Sequence, residues 1–266
     1  MPPLKYFAPN TCTAVSLVLG LSSAFLSSQG NFRLAAWMIL WGVLLDKADG
    51  SIARLFKATS EFGVQFDSFA DFVVFGFAPA ALIYFRLLAT NQYAGWGEIA
   101  LMIAAGLYVV ALAVRLARFN IAAAHKGLFF GIPGTLMGAI VAACYLTWDK
   151  YALSPKILVY GPVLLLVGAL LMVSNVRIPK LAVRKSLALN VFQFGNVIAA
   201  YILAPLMLLP EYLLSLALLY TLGGIAWCLV RPERPEPEPE EAEATDDDEQ
   251  DGEAPKQDDE GHEQLA

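Results

Sequence analysis

Apolar runs of roughly 17–25 residues, separated by short charged loops, follow one another along the first 230 residues, and that is the length a helix needs to cross a bilayer. The runs are continuous and not alternating. Lipid tolerates only helices or closed barrels, so the fold class is all-α, a polytopic membrane helical bundle. Spans are predicted near residues 12–28, 33–55, 64–86, 96–118, 134–148, 156–174, 187–208 and 212–230, about eight transmembrane helices in all. The fifth is only about 15 residues long and follows "HKGLFFGIPG", as a tilted short helix or a partly re-entrant segment would. No internal repeat is visible.

Charge divides the chain in two. Residues 1–230 hold 15 Lys/Arg against 8 Asp/Glu, whereas residues 231–266 hold 3 against 16. The first part is expected to form a membrane-embedded domain. The second lacks the apolar side chains that would repay the entropy of ordering, and is expected to be a disordered acidic cytosolic tail. Of the Lys/Arg residues near span ends, 12 fall on the side of the N-terminus and 4 on the other, which places both termini in the cytosol. A multi-pass protein of the cytoplasmic membrane is expected, in contact with membrane lipids and with no nucleic-acid partner. Residues 1–11 show no cleavage pattern, so the first span is expected to be its own uncleaved insertion signal. The three cysteines, Cys12, Cys144 and Cys228, have neither disulfide nor metal-site spacing.

Into this apolar background the stretch "LLDKADGSIARLFKATSEFGVQFDSFADFVVFGF" places Asp46, Asp49, Asp67 and Asp71, all within 26 residues at the cytosolic end of the second and third spans. Burial is costly: an Asp at the middle of a spanning helix costs about 2.5–3.5 kcal/mol to insert, and like charges repel. On a helix, Asp46, Asp49, Gly50 and Ala53 share one face, and Gly63, Asp67 and Asp71 form a second stripe at successive i+4 steps. Antiparallel packing across a short connection would let the stripes converge. Lys47 and Arg54 are too few to neutralise four carboxylates. All-oxygen ligation without His or Cys suits Mg²⁺ or Mn²⁺, and a pair of such ions suits displacement at phosphorus. Gly50 and Ala53 either admit a bulky ligand to the helix or permit close helix packing.

The spacing Asp46-x-x-Asp49-Gly50-x-x-Ala53-Arg54, eight residues, then Gly63-x-x-x-Asp67-x-x-x-Asp71 resembles the signature of the CDP-alcohol phosphatidyltransferase family in every fixed position. The runs "DSFADFVVFGFAPA", "RLARFN" and "FFGIPG" are most similar to family members that use serine. The resemblance implies a transferase that moves a phosphatidyl group from CDP-diacylglycerol to a small polar alcohol and releases CMP. It implies two divalent cations held by Asp46, Asp49, Asp67 and Asp71, with Asp71 also the catalytic base, and a homodimer. Asn10, Thr13, Gly50, Ala53, Arg54, Ser60 and Gly63 match positions that bind the CDP-lipid. Arg118 and Asn120 are candidates for the acceptor, since a guanidinium pairs with two oxygens of a carboxylate or phosphate. Gly134 and Thr135 follow Pro133 where serine-using members commonly show a second proline. L-serine is the first expectation for the acceptor, and inositol phosphate, glycerol phosphate and choline stay open.

Two rival functions fit the pattern less well. Intramembrane prenyltransferases also use acidic motifs, but widely separated ones. A divalent-cation transporter would be expected to show paired interrupted helices in two repeated halves. Elsewhere, Asn190, Gln193 and Asn196 read as interhelical hydrogen-bond partners, Gly134-x-x-x-Gly138 as a helix contact, and Lys180, Arg184 and Lys185 as an anionic-lipid contact. His125 and His262 are isolated.

Overall fold

The computed structural model describes residues 7–56, 60–90, 93–121, 128–179 and 187–230. They are helical almost throughout. α1 (Phe7–Ser28) and α2 (Phe32–Leu55) are followed by α3 (Glu61–Asp71), which passes through a π-helical stretch, Phe72–Phe77, into α4 (Ala78–Leu88). Next come α5 (Trp96–Ile121), α6 (Gly134–Lys150), a short α7 (Pro155–Leu158) leading into α8 (Gly161–Val173), α9 (Leu187–Leu203) and α10 (Pro210–Val230). With α3–α4 and α7–α8 each taken as one rod, these helices correspond to the eight predicted spans. By length and composition, five are long and apolar enough to cross a membrane: Phe7–Ser28, Glu61–Leu88, Trp96–Ile121, Pro155–Val173 and Pro210–Val230. α2 is long enough but carries Asp46, Lys47 and Asp49, and α6 and α9 have 17 residues each.

Prolines account for the clearest differences from the predicted boundaries. The seventh span was expected to reach residue 208, but its helix ends at Leu203, because Pro205 cannot continue the α pattern. The chain then turns with Met207 and Leu209 at positive φ. The predicted sixth span is broken between α7 and α8, just before Gly161-Pro162.

α1 is fastened to α2 by hydroxyls. Its buried stripe, including Thr13, Ser16, Gly20, Ser23 and Ser27, is small enough to let the helices approach closely. Ser23 donates to the Ala35 carbonyl at 2.9 Å, Ser16 to the Gly42 carbonyl at 3.4 Å, and Thr13 to Asp49 at 2.8 Å. Because the pairing is antiparallel, it runs from one end of α2 to its acidic end. Val74 of the π stretch fits between the two helices. A Cβ on Gly20 would come within 2.9 Å of the Val74 backbone, and one on Gly42 would overlap its side chain. The core beneath contains fully buried Trp37, Phe75, Leu82, Tyr108, Leu112, Leu165 and Met172. The opposite faces of α1 and α5 expose Val18, Leu21, Phe25, Met102, Ile103, Leu107 and Val110, as lipid-facing surfaces do.

The "FFGIPG" run forms a tight corner. Leu128–Phe130 and Arg177–Pro179 pair as a short antiparallel ladder, β1 and β2, joining the approach to α6 with the exit from α8. Gly131 follows at φ +70°, and a Cβ there would collide with the Met172 carbonyl, so only glycine fits. The Gly134/Gly138 pair works within this chain: Gly134 lies against Leu112 and Gly138 against Phe75. Asn196 accepts a hydrogen bond from the Tyr212 hydroxyl, linking α9 to α10. Lys180, Arg184, Lys185, His125, His262 and the acidic tail lie outside the described residues.

Candidate active site

The start of α3 is fixed locally. Ser60, in extended backbone, caps the helix by accepting the Gly63 N–H at 3.0 Å, and Glu61 complements the positive end of the helix. A Cβ on Gly63 would lie 3.1 Å from Ser60 Oγ and 3.4 Å from Asn10 Oδ1. Asn10, Ser60 and Gly63 are therefore neighbours, and the N-terminal turn of α1 lies against the N-terminal turn of α3.

One and two turns further along α3 stand Asp67 and Asp71. Carboxylate oxygens of Asp46, Asp49 and Asp67 all lie within 4.8 Å of one another, and Asp71 is in hydrogen-bonding contact with Asp46. The two stripes expected from the spacing thus converge, although α2 and α3 do not pack closely on each other as expected and instead share α1 as a neighbour. Asp49 is the most enclosed, only 5% exposed, and its Oδ2 accepts the Thr13 hydroxyl. Lys47 Nζ lies 2.9 Å from Asp46 Oδ2, but the lysine side chain is 62% exposed, so the pair is a weak counterweight. Gly50 and Ala53, on the same face of α2, are partly open. The Arg54 side chain lies outside the described residues.

Arg115, three residues before Arg118, is not among the site residues expected from the sequence. It is partly buried on α5, its guanidinium interacts electrostatically with Asp71 and Asp46, and its Nε has no hydrogen-bond partner. Arg118 points to the end of α8, donating through one nitrogen to the Val173 carbonyl at 2.8 Å and through another to Asn175 Oδ1 at 3.1 Å. It thereby satisfies a carbonyl that the helix end leaves open. Asn120 donates to Ser68 Oγ at 3.0 Å, joining α5 to α3 at the residue after Asp67. The sequence carried no cue to these pairings, because each joins residues more than 40 positions apart.

The donor set consists of hard oxygens only, clustered closely enough for one cation to touch several, with little protein positive charge among them. That fits a divalent cation of the magnesium type.

Comparison with known proteins bears on the same region. Residues 6–174 match the CDP-alcohol phosphatidyltransferase family, a stretch that holds all of these side chains except Asn175. Relatives that carry the name CDP-diacylglycerol–serine O-phosphatidyltransferase include the following three. The protein of Helicobacter pylori (strain J99 / ATCC 700824) is 40% identical over 181 residues, covering 65% of this chain and 72% of its own. That of Bacillus subtilis (strain 168) is 30% identical over 177 residues, 65% of this chain and 90% of its own. That of Methanocaldococcus jannaschii is 32% identical over 221 residues, 80% of this chain and 90% of its own. A carboxylate cluster assembled by the motif spacing and a match across the whole helical region that builds it lead to one assignment: the chain belongs to the CDP-alcohol phosphatidyltransferase family.

Proposed function

We propose that this protein transfers the phosphatidyl group of CDP-diacylglycerol to the hydroxyl of L-serine, giving phosphatidylserine and CMP. The observation that carries the reading is the convergence of Asp46, Asp49 and Asp67, with Asp71 against Asp46, between α2 and α3. The names of the relatives support serine as acceptor.

Asp46, Asp49, Asp67 and Asp71 would hold two divalent cations, Mg²⁺ or Mn²⁺. When bound, such ions supply positive charge to the oxygens of a diphosphate and its departing phosphate. The chain's own residues do the rest. Thr13 orients Asp49. Asn10, Ser60 and Gly63, together with Gly50, Ala53 and Arg54, bind the nucleotide end of the lipid. Asp71 accepts the proton of the serine hydroxyl as its oxygen bonds to phosphorus and the bond from phosphorus to the CMP oxygen breaks. Proton removal is required because a neutral hydroxyl is a poor nucleophile.

The acceptor lies on the α5 side of Asp71. Arg118 and Asn120 recognise it, Arg118 exchanging its bonds to Val173 and Asn175 for the serine carboxylate, with Arg115 adding positive charge beside the base. The enzyme acts as a homodimer in the cytoplasmic membrane, with this end of the bundle toward the cytosol, where serine and CMP are soluble.

The test is CMP release by the purified protein from CDP-diacylglycerol, offered serine, inositol phosphate, glycerol phosphate and choline in turn. Release with serine alone is expected. Release with another acceptor and not with serine would replace the acceptor, and metal-dependent ion flux without CMP release would replace the reaction.

A further inference from the structure

Tyr108 on α5 is completely buried, yet its hydroxyl is used: it donates to the Phe75 carbonyl at 3.0 Å. In a continuous α-helix that carbonyl would take the N–H of residue 79, and residue 79 is proline, which has none. Just ahead of Pro79 the helix widens over Phe72–Phe77, with the Ala78 N–H reaching back five residues to the Val73 carbonyl. Such widening relieves the clash between a proline ring and the preceding turn. Tyr108 then supplies a donor that the proline removed, at a depth where water cannot.

The wide turn also sets direction. An i→i+5 turn holds about one residue more than an α-turn, so the helix face after it is offset by roughly 100° from the face before it. Asp67 and Asp71 come just before the offset, and buried Val74, Phe75, Ala78 and Leu82 come within it or after it. α4 is buried on every side from Ala78 to Ile83 and is thereby held in place, so closing the turn to the α pattern would rotate the α3 half by that angle and swing Asp67 and Asp71 away from Asp46 and Asp49. The close fit of Val74 against Gly20 and Gly42 holds the same turn from the other side.

We infer that Tyr108 is a positioning residue for the carboxylate cluster: by holding the Phe75 carbonyl opposite Pro79, it maintains the wide turn that aims Asp67 and Asp71 at Asp46 and Asp49. The inference rests on the reading of that cluster as a metal site. Two measurements on the full chain in detergent test it with Mn²⁺ as the probe: the Mn²⁺ concentration giving half the metal-induced rise in Tm, and that giving half-maximal CMP release. Tyr108→Phe is expected to lower the metal-free Tm and to raise both concentrations about tenfold or more, the scale seen when a supporting contact of a metal ligand is lost. Pro79→Ala restores an N–H for Phe75 and lets the α pattern close. It is expected to keep or raise the metal-free Tm while raising the Mn²⁺ requirement by a similar factor, a separation that a purely structural role would not give. A wild-type Mn²⁺ requirement in either folded variant overturns the inference. If Tyr108→Phe does not fold, Pro79→Ala decides alone, and its own failure to fold would also overturn the inference, because the carbonyl would have gained its donor to no benefit. If the unaltered protein shows neither a Mn²⁺-dependent Tm nor CMP release, the metal reading of the cluster fails first and takes this inference with it.

Discussion

Thr13→Val removes one hydroxyl and keeps the shape of the side chain, and it is expected to weaken metal binding by about tenfold to a hundredfold. The estimate starts from two acceptors competing for one hydrogen. Thr13 Oγ1 lies 3.1 Å from the Pro9 carbonyl and 2.8 Å from Asp49 Oδ2. The hydroxyl has a single proton, and the shorter, charge-assisted contact takes it. A hydrogen bond to a charged group contributes about 1.5–3 kcal/mol net, and neither residue is more than 5% exposed, so water cannot take over from the lost donor. At about 1.4 kcal/mol per factor of ten, the whole of that energy expressed in ligand orientation gives the stated range. The same range is found when an outer partner of a metal ligand is removed. The assay is the half-saturating Mn²⁺ concentration for CMP release from CDP-diacylglycerol, with Thr13→Ser, which restores the hydroxyl, as the companion variant. Full CMP release by Thr13→Val at the wild-type Mn²⁺ concentration would refute the argument, because Asp49 would then be held by something other than this bond.

Three further outcomes are expected. Asp71→Asn should reduce CMP release by about a hundredfold to ten-thousandfold, the usual contribution of a general base, while CDP-diacylglycerol still raises the Tm of the variant. Chelation by EDTA should stop CMP release, and Mg²⁺ or Mn²⁺ added back in excess should restore it; release that persists after exhaustive chelation would remove the metal from the mechanism. Gly131→Ala should lower the Tm by an amount corresponding to about 1–3 kcal/mol or more, since it places a side chain both at φ +70° and against the Met172 carbonyl, and a Tm scan checks it.

The parts of this molecule that were legible in the sequence are those whose physics is local. Apolar runs of membrane length give the helices because lipid offers the backbone no other partner. The spacing of Asp46, Asp49, Asp67 and Asp71 gives their faces because a helix has a fixed period, and two stripes separated by a short connection can meet when the chain reverses between them. Helix ends at prolines were not legible: Pro162 and Pro205 fall inside predicted spans, because the apolar runs continue on both sides of them. The partners of the site were a different matter. That Thr13 would meet Asp49, Arg118 the end of α8, and Asn120 the residue after Asp67 depends on how rods pack. No periodicity within one segment encodes that.

α1 shows how far tertiary packing governs the chemistry. Its sequence looks like the least informative of the spans, with no charged residue and hydroxyls that could serve anywhere. Yet it packs against α2, α3, the π stretch and α4, which makes it a common neighbour of both carboxylate stripes. Its small stripe has two effects at once. At one end Ser23, Ser16 and Thr13 set the register of α2 down to Asp49; in the middle Gly20 leaves room for Val74 and so for the wide turn after Asp71. A side chain larger than glycine at position 20 would press on the Val74 backbone, and the nearest relief is a shift of the turn that carries Asp71. The geometry of four aspartates on two helices is therefore held in large part by a third helix that contributes no carboxylate of its own.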